Sequence, residues 1–169
     1  LVDELFLAAM RNYTDDWKHC HPYPEDFINS ISQYTHTDLD WFFDQWLETT
    51  KNIDYGIKKV DKVSSTNVDG QTLLNYEITL DRKGSMQMPI DFSVVLDNGD
   101  TLRYYIPNTW FNKYEYQKPS QGRLDRTYFQ NVISLPKWYG WDKLNDTYVA
   151  SITTPHKIKD VIIDPSDRL

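Results

Sequence analysis

The residues in this sequence best equipped for chemistry lie in Trp17-Lys18-His19-Cys20-His21-Pro22. A His-x-His beside a Cys offers three good ligands for zinc, whereas a closed zinc site needs four and a catalytic one needs three with an open water position. The chain holds 4 His and 1 Cys. No second Cys/His cluster completes a tetrahedron, and two His followed by Pro suit a turn in which the imidazoles cap or hydrogen-bond the backbone. We read the stretch as a turn. His36 and His156 stand alone, and Glu25 and Asp26 read as helix-start carboxylates rather than an acid/base pair. There is no H-E-x-x-H, no G-x-S-x-G, no Gly-rich phosphate loop and no C-x-x-C. No catalytic residue, metal ligand or cofactor is therefore assigned within this chain.

A second kind of chemistry is offered by aromatic rings. From Pro107 to Asp146 no period holds, and the stretch carries Trp110, Phe111, Tyr114, Tyr116, Tyr128, Phe129, Trp138, Tyr139 and Trp141 among Pro119, Gly122, Pro136 and Gly140. Flat rings with polar handles serve as stacking platforms for sugars and peptides, which makes Trp110, Tyr114, Trp138 and Trp141 a candidate binding surface. The competing expectation, which we favour, is that these rings pin a long loop onto a sheet, because such a loop needs anchoring.

The elements that would position these residues can be read from periodicity. Val2, Leu5, Phe6, Ala9, Met10, Tyr13 and Trp17 share a face and predict a helix over 2–17. Pro24 suits the first position of a second helix, with Glu25 and Asp26 complementing its positive end; Phe27, Ile31 and Tyr34, with Ile28, carry its apolar stripe over 24–34. Thr37-Asp38-Leu39-Asp40 resembles a capping box before a third helix over 38–50. There Leu39, Phe42, Phe43, Trp46 and Leu47 share a face, so Trp46 is expected to be buried and to join the helices to the β region. Trp41 falls on nearly the opposite side, either exposed or sandwiched against a second partner, so Trp41 and Trp46 are candidate interface residues.

After Asp54 the period changes from about 3.6 to 2, dividing a helical segment, 1–54, from a β domain, 55–169. Leu74, Tyr76, Ile78 and Leu80 alternate with mostly polar neighbours, and Met86, Met88, Ile90, Phe92, Val94 and Leu96 form the next alternating set. Pro89 is expected at an edge or bulge. Asp69-Gly70, Lys83-Gly84 and Asn98-Gly99 permit positive φ at turns, Leu102, Tyr104 and Ile106 continue an inward face, and two strands close the chain around Thr153-Thr154-Pro155. Short strands with turns between them and no further helix predict an α+β chain whose β part is an antiparallel immunoglobulin-like sandwich.

Composition sets outer bounds. In 169 residues, 40% hydrophobic and 25% charged, a core of useful size can be buried. A formal charge of −7 disfavours phosphate backbones, so nucleic acid is not an expected partner. No run approaches about 18 apolar residues, so no membrane span is expected, and no signal peptide is legible. One cysteine leaves the redox compartment open. Both ends look like cuts in a longer protein.

Taken together, H-P-x-P-E-D-F at His21–Phe27, D-L-x-W-F-F-x-Q-W-L at Asp38–Leu47 and the Asp54-Tyr55 that opens the β region resemble the end of the catalytic domain in aminopeptidase N-type zinc metallopeptidases, the bacterial ones most closely. The resemblance covers residues 1–55 well and the rest more loosely, through the Pro89 strand, Asn98-Gly99 and Val161-Ile162-Ile163-Asp164-Pro165. It implies a chain that begins after the zinc-binding H-E-x-x-H, so none of the family's catalytic residues falls on a position here. It also implies zinc in the full-length parent, an upstream peptidase domain of the same protein as partner, peptide as the parent's substrate, and a periplasmic or extracellular setting. The second reading is a non-enzymatic sandwich module whose 107–146 segment grips carbohydrate or peptide.

Overall fold

The computed structural model describes residues 3–107, 132–136, 138 and 145–165. The described residues divide into two compact units between Thr50 and Lys51, and no helix among them is long and apolar enough to cross a membrane.

The first unit holds three helices, α1 (Asp3–Trp17), α2 (Pro24–Thr35) and α3 (Asp40–Leu47). α2 begins where Pro24 predicts, and the Asp26 carboxylate accepts the Tyr23 backbone N–H at 2.8 Å, satisfying a donor outside the helix. It ends at His36, whose φ of 50° places this otherwise isolated histidine in a left-handed cap. The Thr37 N–H reaches back to the Ser32 carbonyl at 3.3 Å, as in a Schellman ending. The core is small: Ala9, Ile31, Leu39 and Phe43, with Met10, Tyr13, Phe27, Ile28 and Phe42 packed on it. Tyr13 meets Phe27 edge-on at 5.1 Å, and Phe27 meets Phe43 at 5.8 Å.

α3 is shorter than its periodicity predicts. Thr37 does not cap it; its hydroxyl donates instead to the Thr35 carbonyl, the Asp38 carboxylate accepts the Asp40 N–H, and Leu39 takes the cap position. Small polar side chains that bond locally offer the backbone an alternative to the helix. Phe6 and Tyr34, assigned to apolar stripes by sequence, are exposed.

The second unit is a sandwich of two sheets, with β1 (Tyr55–Val68), β2 (Gln71–Arg82) and β6 (Thr147–Thr154) in the order β1-β2-β6. The other sheet orders β3 (Ile90–Leu96), β4 (Thr101–Ile106), β5 (Val132–Ser134) and β7 (Ile158–Ile163) as β5-β4-β3-β7. Strand pairs are antiparallel except β4 with β5, which is parallel. Both sheets feed one core: Tyr76, Ile78, Leu80, Ala150 and Ile152 from the first; Ile90, Phe92, Val94, Leu96, Tyr104 and Ile106 from the second. These are the alternate positions that the period of 2 marks out. Asp69 and Gly70, at φ 51° and 81°, make the two-residue turn between β1 and β2, both central residues left-handed as that hairpin requires.

The turn at Lys83-Gly84 has a different cause. Gly84 has no positive φ; a Cβ there would run into the Asn52 carbonyl oxygen and stand 2.6 Å from the Asp54 nitrogen. The close approach is a stitch between the approach to β1 and the turn after β2. The Asp54 carbonyl accepts the N–H groups of Lys83 (2.8 Å) and Gly84 (2.9 Å), and the Asn52 carbonyl those of Ser85 (3.1 Å) and Met86 (3.0 Å). The Tyr55 hydroxyl donates to the Met86 carbonyl and accepts the Met88 N–H, each at 2.9 Å. Met86 and Met88 continue the buried alternation although the ladder starts only at Ile90. Pro89 thus precedes its strand rather than sitting on an edge or bulge, and its missing N–H costs the sheet nothing.

Gly84→Ala should destabilise the sandwich by about 1–3 kcal/mol through overpacking against backbone that cannot turn aside, measured by urea unfolding. Burial pushes the Tyr55 phenol up to about 12, against smaller opposing effects of the Met88 N–H bond and the Arg82 charge. A phenol whose pKa in the folded chain lies above its unfolded value of about 10 stabilises fully below pH about 10 and loses that contribution as pH rises through about 12. Tyr55→Phe should therefore cost about 1–3 kcal/mol at neutral pH, by stranding the Met86 and Met88 backbone groups. Its stability should also fall less steeply than wild type between pH about 10 and 12.

Candidate functional site

His19, Cys20 and His21 lie in the connection between α1 and α2, and all three are exposed. The connection is closed by Cys20 N–H donating to the Trp17 carbonyl at 2.8 Å. Among the described residues no three His, Cys, Asp or Glu side chains converge as a metal-holding group. Glu25 and Asp26 occupy the first turn of α2, with Asp26 engaged by Tyr23.

The two candidate interface residues flank Phe42: Trp41 meets its ring at 5.9 Å and Trp46 at 5.7 Å. Trp41 is half-buried, while Trp46 is 48% exposed, contrary to the expected burial. The reason is position along the helix rather than angle around it. Trp46 shares a face with Leu39 and stands about 10 Å further along the axis, at 1.5 Å per residue. Leu39 and Phe43 fill the small core with Ala9 and Ile31, and the stripe continues past it.

Of the aromatic candidates, Trp110, Tyr114 and Trp141 lie outside the described residues. Trp138 is 1% exposed and belongs to the sandwich core, so it is not a binding platform. Its ring lies 5.3 Å from that of Tyr148, whose hydroxyl donates to the Pro136 carbonyl at 2.7 Å. Burial raises the Tyr148 pKa. Here Tyr148 fastens Pro136 and Trp138 to β6, the anchoring role expected for such rings.

Among the described residues, one concavity is not marked by periodicity. A groove of about 500 Å³ runs along α1 and α2, lined among others by Asp16, Trp17, Asp26, Asn29, Gln33 and Tyr34. Its size is within the range of small-molecule sites. Asn29 and Gln33 are one turn apart, and with Asp26, Ser30 and Tyr34 they form one side of α2. Asn12 donates to the Asp16 carboxylate at 2.9 Å, which fixes the α1 side. Among the described residues no Lys or Arg lines the groove. The available signal was the i, i+4 polar row opposite Phe27 and Ile31, which reads in a lone sequence as an ordinary wet face.

No family model matches this chain, and neither a curated protein nor a solved structure matches it.

The exposure difference in α3 sets a measurable contrast. Phe43→Ala should destabilise the helical unit by about 3–5 kcal/mol, the usual cost of deleting a buried ring. Trp46→Ala should cost clearly less in the same chemical denaturation series followed by helical circular dichroism; equal losses would mean that Trp46 is held by packing its exposure does not reveal.

Proposed function

We propose that this chain is the non-catalytic C-terminal part of a zinc-dependent aminopeptidase, carrying the last helices of a peptidase domain and the sandwich that supports it. The parent would hydrolyse N-terminal residues from peptides. The observation that carries the reading is the coincidence of motif and architecture. The H-P-x-P-E-D-F motif starts a helix at Pro24, the aromatic motif forms α3, and the chain passes from helices to a sandwich that opens at Tyr55. The resemblance calls for that order.

This chain's own donor groups do not fit a catalytic zinc: His19, Cys20 and His21 are exposed in a turn, and among the described residues no carboxylate converges on them. A catalytic zinc takes three protein ligands and an activated water, so no step of peptide hydrolysis is assigned to residues here. The described residues supply support: the α1–α2–α3 core positions Trp41 and Trp46, and the stitch at Asn52–Tyr55 holds the start of the β unit in one conformation. The burial of Trp138 weighs against a sandwich module that binds through its aromatic segment.

Two measurements test this. The coding sequence upstream of Leu1 should specify H-E-x-x-H with a further Glu about twenty residues on, the spacing of a zinc ligand set; an upstream region without it would sink the assignment. Dialysed against a zinc buffer, the chain alone should retain less than about one equivalent of metal and cleave no aminoacyl-anilide. Stoichiometric zinc lost on changing His19 and His21 to Ala would overturn the reading of that turn.

A further inference from the structure

We propose that the groove between α1 and α2 is a binding site for a neutral saccharide. The proposal does not rest on the peptidase reading, because it uses only the helical unit's own lining. Its chemistry is mixed in a way that selects one ligand class. Asn29 and Gln33 each present a carbonyl acceptor and an amide donor, and Ser30 adds a hydroxyl that does both. Vicinal hydroxyls of a sugar ring also donate and accept, so they can satisfy such a row, whereas a cation uses acceptors alone.

Asp16 and Asp26 add acceptor capacity. They stand on different helices, and each is tethered locally, Asp16 by Asn12 and Asp26 by the Tyr23 N–H. A carboxylate accepts at about four lone-pair positions, so one local bond leaves it able to take sugar hydroxyls. The carboxylates of Asp16 and Asp26 in the lining disfavour phosphorylated or acidic sugars. Trp17, which closes α1, and Tyr34, in the last turn of α2, supply the apolar surface. A pyranose presents a C–H face as well as hydroxyls, and an aromatic ring with a polar handle suits that combination. The volume of about 500 Å³ takes a short oligosaccharide rather than a single small ion.

The test is titration of the intact 169-residue chain with cellotriose, chitotriose and mannotriose, followed by backbone amide shifts and by calorimetry. At least one trisaccharide should perturb α1 and α2 residues around the groove saturably. The double variant Asn29→Ala, Gln33→Ala changes two exposed helix positions to a better helix former. It should keep the wild-type unfolding midpoint and weaken the affinity by about tenfold. Glucose 6-phosphate should bind more weakly than glucose. The proposal is overturned by any of three results: no trisaccharide shifts groove signals, binding survives the double variant unchanged, or arginine methyl ester binds more tightly than every saccharide and is released by Asp16→Asn, Asp26→Asn. The last result would identify the groove as a cation site instead.

Discussion

Backbone from Asn52 to Tyr55 lies so close to the turn after β2 that a single added carbon at Gly84 has no room, and much of the sandwich depends on that contact. Four N–H groups in a row, Lys83 to Met86, find acceptors in two carbonyls of the incoming chain. The fifth demand is met by Tyr55, whose hydroxyl takes the Met88 N–H and returns a bond to the Met86 carbonyl. Buried backbone polar groups must be paired. A turn that crosses between sheets, with buried Met86 and Met88, has no ladder to pair them, so a side chain and a neighbouring segment do so. The same bonds hold the phenol in a desolvated place, which is why its proton is hard to remove.

The helical unit rests on a narrower base. Four buried apolar residues and a chain of edge-on rings, Tyr13 to Phe27 to Phe43, hold three short helices together. Aromatic pairs of this geometry contribute about 0.5–1.5 kcal/mol each beyond the area they bury, a large share for so small a core. Because the core is used up by Leu39 and Phe43, the apolar stripe of α3 runs on into Trp46 and Leu47, which remain exposed. The unit that carries the motif residues also carries the groove, in which amides and carboxylates stand beside Trp17 and Tyr34.

Much of the architecture was legible in the sequence because it depends on local rules. The helix start at Pro24, the change of period after Asp54, the alternation from Leu74 to Leu80 and from Ile90 to Leu96, and the positive-φ turn at Asp69-Gly70 each depend on neighbours a few residues away. The features that the sequence left open depend on residues far apart. Periodicity places Trp46 on the same face as Leu39 but says nothing of where the opposing helices end. A Gly in a turn reads as a need for positive φ, yet at Gly84 the need is space, set by a segment about thirty residues earlier. For a tryptophan in an aperiodic stretch the sequence favours an anchor over a platform without excluding either, and the sandwich around Trp138 makes it an anchor. The groove is the clearest case. Its polar residues look like wet helix faces one by one, Trp17 and Tyr34 read as stripe residues, and only the packing of α1 beside α2 brings them into one concavity.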